Sequence, residues 1–111
     1  MFMDYYILKD GEAVKASSFY EYLEFFNSKE RFLALEENEE FYVSTVFLGI
    51  SHGKDRNGQP LLFETLYNSN LSLFKVGDTI VRYSSKEEAL LNHNKIVQEL
   101  TGLGQSKINK E

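Results

Sequence analysis

The stretch FYVSTVFLGIS at residues 41–51 is the longest apolar segment of the chain, and its reading decides the fold class. Four of its residues, Val43, Thr45, Val46 and Ile50, are β-branched, and apolar side chains stand on both alternating faces. That pattern predicts a central strand covered on both sides. Beyond it, residues 53–60 contain the turn pair Asn57-Gly58 and Pro60, which fits a strand only at its first position or outside it. Residues 61–67 then read as the antiparallel mate, 68–77 as a polar connection and 78–84 as a further strand.

Upstream of that segment, residues 36–40 form a charged turn and 31–36 an extended stretch. Residues 4–16 read as a short hairpin: Tyr5, Tyr6, Ile7 and Leu8 favour a pleated, half-buried surface, and Asp10-Gly11 is a strong two-residue turn signal. Ser18 and Glu21 form a capping box that opens a helix running to Asn27. At about 100° per residue with Phe19 as zero, Tyr20, Tyr22, Leu23, Phe25 and Phe26 fall at about 100°, 300°, 40°, 240° and 340°. Only Glu21 and Glu24 mark a wet side. An arc this wide predicts that Tyr20 or Phe25 meets a partner or a second copy of the chain, a homo-oligomer. Ser85 and Glu88 supply a second capping box, for a helix ending near Gly102, a candidate C′ glycine. The expected architecture is α+β, a single antiparallel sheet packed against two helices. One domain spans residues 1–102, followed by a flexible tail at 103–111.

Composition narrows the function classes. The chain has 111 residues, no cysteine and a formal charge of −5. The missing thiols exclude a disulfide framework, a cysteine zinc site, an iron–sulfur cluster and a thiolate nucleophile. Residues 1–40 hold ten carboxylates against four bases, so nucleic-acid binding through phosphates is not expected. No apolar run approaches the roughly 20 residues that a bilayer needs, and the first ten residues lack the apolar core of a secretion signal. A cytoplasmic protein without a membrane segment is the expectation.

Four side chains could carry chemistry. With Ala89 as zero, His93 lies at about 40°, inside the stripe made by Ile96, Val97 and Leu100, so it should face the sheet and need a hydrogen-bonding mate. On strand 61–67, Glu64 shares a face with Leu62 and Leu66 and is the expected mate. Arg82, on the strand before the second helix, can pair with Glu64 if the two strands are neighbours. His52 sits where the long strand ends, with Lys54 and Arg56 behind it, a loop suited to a small anionic ligand. His52, Glu64, Arg82 and His93 are therefore expected to share one pocket between the second helix and the sheet. His52, Glu64 and His93 have metal-ligand chemistry but no metal-motif spacing, so no metal and no cofactor is assigned. The Ser44-Thr45 pair lacks a glycine-rich elbow and reads as ordinary strand sequence.

The strings VSTVFLGISH (43–52), PLLFET (60–65), RYSS with EEA (82–89) and NHNKIV (92–97) resemble a family of small bacteriophage and prophage proteins. That family's pattern is STVFLG-hydrophobic-DH, a glycine-rich loop, PPLLFET and RYxTWEEAxxGH. Here Ser51 replaces the aspartate, Gln59 the first proline, Ser84 and Lys86 the threonine and tryptophan, and Asn92 the glycine before the histidine. The resemblance supplies no activity. It implies a phage gene and places His52, Glu64, Arg82 and His93 on motif positions. The expected function is a non-enzymatic, phage-encoded interaction protein of the host cytoplasm, an inhibitor of host defence that blocks a protein or sequesters a small ligand. The alternative is a small metal-dependent or acid/base hydrolase using His52, Glu64 and His93.

Overall fold

The computed structural model describes residues 4–71 and 75–109, with side chains to Leu103. Residues 72–74, within the polar connection expected at 68–77, and residues 110–111 of the expected tail lie outside the described residues. The fold is α+β. The hairpin pairs β1 (Tyr6–Lys9) with β2 (Glu12–Lys15), and Lys9 faces Glu12 across a two-residue turn. Asp10 and Gly11 take φ of 52° and 82°, the left-handed pair that matches strand twist.

Helix α1 (Phe19–Phe26) starts at Ser18, whose hydroxyl accepts from the Glu21 amide at 3.1 Å. The Glu21 carboxylate accepts from the Ser17 amide at 2.8 Å rather than from Ser18, one residue earlier than a reciprocal capping box requires. A 3₁₀ turn at Lys29–Arg31 leads into the main sheet. That sheet is an antiparallel meander of β3 (Phe32–Glu37), β4 (Phe41–Phe47), β5 (Phe63–Ser69) and β6 (Val76–Tyr83), in chain order. Between β3 and β4, the Asn38 side chain accepts from the amides of Glu40 and Phe41 at 2.8 and 3.0 Å and closes the charged turn. Between β4 and β5, Asp55 accepts from the amides of Asn57 and Gln59, and Pro60 bridges Lys54 outside the strand.

Three expectations are corrected. The hairpin is a sheet of its own, docked on the β4–β5 connection by a Tyr5–Ile50 bridge and by the Tyr6 amide donating to the Gly49 carbonyl at 2.8 Å. Helix α2 (Lys86–Asn109), with Ser85 Oγ accepting from the Glu88 amide, continues through Gly102 as far as Asn109. A glycine lowers helix propensity by about 1 kcal/mol without ending a helix. Among the described residues, the central strand is covered by a helix on one face only. α2 lies on the inner face, where Phe41, Val43, Thr45 and Phe47 are buried, whereas α1 packs beside the hairpin. The outer face of Tyr42, Ser44 and Val46 is half-buried.

The inner face carries two apolar clusters. Phe47, Leu62, Phe63, Tyr83 and Ala89 form one; Phe41, Val43, Ile96 and Leu100 form the other. Gly49 lies where α1 meets the hairpin. Its φ is +78°, and a Cβ there would stand 2.5 Å from a Tyr22 ring carbon and 3.1 Å from the Tyr6 carbonyl oxygen. Gly49→Ala is expected to cost about 1 to 3 kcal/mol in chemical denaturation, because it combines a strained backbone with a backbone contact that cannot yield. An unchanged midpoint would contradict this packing.

Candidate functional site

His93 faces the sheet, as its place on the helical wheel predicts, and is only 2% exposed. Its mate is Thr45: imidazole Nδ1 and the Thr45 hydroxyl lie 2.8 Å apart, and Thr45 is 2.6 Å from the hydroxyl of Thr65. Both threonines are fully buried. Thr45 has one hydroxyl proton, so it donates to one neighbour and accepts from the other, and the tautomer of His93 sets the direction in which the two bonds run. Along β4 and along α2, this polar layer falls between the two apolar clusters. Burial holds the His93 imidazole below the ordinary histidine value of 6.5, against a smaller upward pull from the Glu36 carboxylate.

Glu64 is not that mate. In the ladder, Val46, Glu64 and Arg82 stand in one cross-strand row, and Thr45, Thr65 and Val81 in the next. Side chains alternate between faces, so the row of Thr45 faces α2 and the row of Glu64 faces away. The parity of β5 is hard to read from sequence because both of its faces are apolar: Leu62 and Leu66 against Phe63 and Tyr67. The expected Glu64–Arg82 pair is present, with Arg82 Nε donating to Glu64 Oε2 at 3.2 Å. The Arg82 side chain is 38% exposed, which limits the pair to about 0 to 1 kcal/mol.

His52 is exposed on its loop, as are Lys54 and Arg56. The four residues therefore occupy three places: a buried layer under α2, the outer sheet face and a loop. Among the described residues no three His, Asp or Glu side chains gather to hold a metal ion. The hydrolase geometry required of His52, Glu64 and His93 is not formed. A groove of about 700 Å³ runs between the hairpin turn, Gln59-Pro60 and the start of α2, and none of the four lines it.

The motif positions instead build the frame. Thr45 and Gly49 belong to the 43–52 string, Thr65 to 60–65 and His93 to 92–97, and three of these four meet in the polar layer. Asn92 donates its side-chain amide to the Tyr83 hydroxyl and ties α2 to β6. Ser51 donates to the Gly53 carbonyl at 2.7 Å within the loop. The Ser84 hydroxyl and the Gln59 and Asn57 amides hold the Asp55 carboxyl below its usual range.

Exposed aromatic rings gather on and beside α1. Phe25, expected at an interface, is half-buried and packs against the core, its ring edge-on to Phe47 at 5.6 Å. Tyr20 is 81% exposed, and Phe19 and Phe26 remain exposed on the same helix. Rings in mutual contact run from Phe19 and Tyr5 through Tyr22 to Phe26. The Arg31 guanidinium then lies 4.4 Å from the centre of the Phe26 ring and 4.2 Å from that of Phe32. Among the described residues no helix is long and apolar enough to cross a membrane. Comparison with protein-family models, with curated proteins and with solved structures finds no significant match.

His93→Ala should destabilise the fold by about 1 to 3 kcal/mol, since it opens a cavity and strips Thr45 of a partner. The wild type should lose stability as pH falls through 6.5, because the unfolded chain then takes up a proton that the folded imidazole resists. His93→Gln should lack that component. Equal pH slopes in thermal melts of the two proteins would contradict a buried neutral imidazole.

Proposed function

We propose that this chain is a non-enzymatic interaction protein that binds another protein through the exposed arc of α1. In keeping with the motif resemblance, it is read as phage-encoded and as blocking a host component in the bacterial cytoplasm. The observation that carries the proposal is that α1 is apolar on two sides. Tyr22 and Phe25 point into the fold, while Phe26, Phe19 and Tyr20 fall within an arc of about 120° on the outward side. Exposed aromatic rings have the composition of binding hot spots, which combine large buried area with few rotatable bonds. A helix that served only to close its own core would carry polar residues there.

Charge restricts the partner. Glu24 borders the arc, and the first forty residues carry a balance of −6. The surface suits an apolar groove rimmed by lysine or arginine, with electrostatic steering that salt weakens.

Tyr20 is exposed enough that Tyr20→Glu leaves the fold intact. Tagged wild type and Tyr20→Glu, with matching circular dichroism, are expected to differ in the proteins they retain from a bacterial lysate. A retained protein should be lost with the variant and should elute with rising salt. Identical retention by both, or none by the wild type, would contradict the proposal.

A further inference from the structure

Among the described residues, no helix or further sheet covers the face of the main sheet turned away from α2, yet its middle is apolar. Leu35, Ser44, Leu66 and Ile80 form the central cross-strand row, and Leu35 and Ile80 are 58% and 51% exposed. We propose that this face binds a second copy of the chain, across a two-fold axis that lies in the interface along that row.

Charge selects this occupant and this axis. The row on one side of the centre ends at the β6 edge in Arg82, and at the β3 edge in Phe32, over whose ring Arg31 lies. The row on the other side of the centre holds Glu37 on β3 and Asn68 on β5, with Asp78 beside Asn68 on β6. One end of the face is therefore basic at both edges, and the other end is acidic at both. A two-fold axis along the central row exchanges the ends. Arg82 then meets Asp78 of the second copy, Arg31 meets its Glu37, and Leu35, Leu66 and Ile80 meet themselves. An axis along the strands would instead set Asp78 against Glu37, acid on acid. Interfaces of this kind are self-complementary by symmetry.

The polar groups are already arranged for the pairing. Arg82 uses Nε on Glu64 of its own chain, which leaves the terminal guanidinium nitrogens for an acid opposite. Asp78 accepts from the Asn68 side chain through Oδ1 at 2.9 Å, which leaves Oδ2. Across the two-fold axis the groups form one line, Glu64–Arg82 to Asp78–Asn68, written twice. The size is adequate as well. Four strands about 4.8 Å apart, each about seven residues long at about 3.4 Å per residue, give a projected face of about 450 Å². Corrugated side chains expose more area than their projection, which brings the face toward the roughly 600 to 800 Å² per partner of a specific contact. Aligned packing of two sheets about 10 Å apart accommodates side chains of this size.

The test is cross-complementation, read as mass by sedimentation velocity from micromolar to near-millimolar concentration. The wild type should sediment at twice its 12.9 kDa chain mass. Arg82→Glu alone and Asp78→Arg alone should each halve that mass, because each homodimer would bring like charges together twice. Their equimolar mixture should recover the doubled mass, since the new carboxylate at position 82 of one chain meets the new guanidinium at position 78 of the other, and the native pair forms on the other side. Circular dichroism checks that both variants fold. Tyr20→Glu, on the separate surface of α1, should keep the doubled mass, so the dimer and the partner-binding reading fail independently. A wild type that stays monomeric throughout, variants that remain dimeric, or a mixture that stays monomeric would each overturn the proposal.

Discussion

Burying an imidazole between two threonines constrains everything else in this fold. Thr45, Thr65 and His93 come from β4, β5 and α2, and all three are cut off from water. An apolar core tolerates sliding and repacking at modest cost. A buried polar layer does not, because moving α2 by one turn would part the His93 imidazole from the Thr45 hydroxyl and leave a buried polar group unmatched on each side, each costing on the order of 1 to 3 kcal/mol. The layer therefore fixes both the rotation and the register of α2 on the sheet, with an apolar cluster on either side of it. It also keeps the histidine out of reach of any substrate. The residue with the most chemical promise in the sequence is thus the one most committed to holding the structure.

That commitment settles which side of the sheet remains open. Because Thr45 and Thr65 face α2, strand alternation sends Glu64, Leu66, Ile80 and Arg82 to the other face. Gly49 exerts a similar control at the end of the sheet, where the hairpin and α1 approach too closely for any side chain. With α1 held there, Phe25 packs against Phe47 and the opposite arc stays in solvent. The two surfaces assigned to binding are therefore consequences of how the core is closed.

The local features are legible in the sequence. Asp10-Gly11, Ser18, Ser85 and the direction of His93 depend on a few neighbouring residues and a helical period, and the structure reproduces each. The Glu64–Arg82 pair is legible too, because it requires only that two strands be neighbours. Features that depend on parity or tertiary placement are harder to read. Strand β5 offers apolar residues on both faces, so the face that receives the helix is ambiguous by one residue, and Glu64 takes the place that belongs to Thr65. The apolar character of 41–51 suggests two covering layers, but nothing local shows that α1 packs at the end of the sheet. Gly102 looks like a helix stop, although a helix can carry a glycine within it. A buried threonine facing a helix histidine was the available signal for the polar layer: in the strings at 43–52, 60–65 and 92–97, Thr45, Thr65 and His93 are the polar residues the core must satisfy.

The most direct test of the polar layer is nitrogen-detected NMR of the His93 imidazole as pH is lowered, alongside the exchange of hydroxyl protons. The account predicts a ring that stays neutral below 6.5, held in one tautomer, with a threonine hydroxyl proton protected from solvent exchange. A ring that protonates at the ordinary histidine value, with no protected hydroxyl, would contradict it.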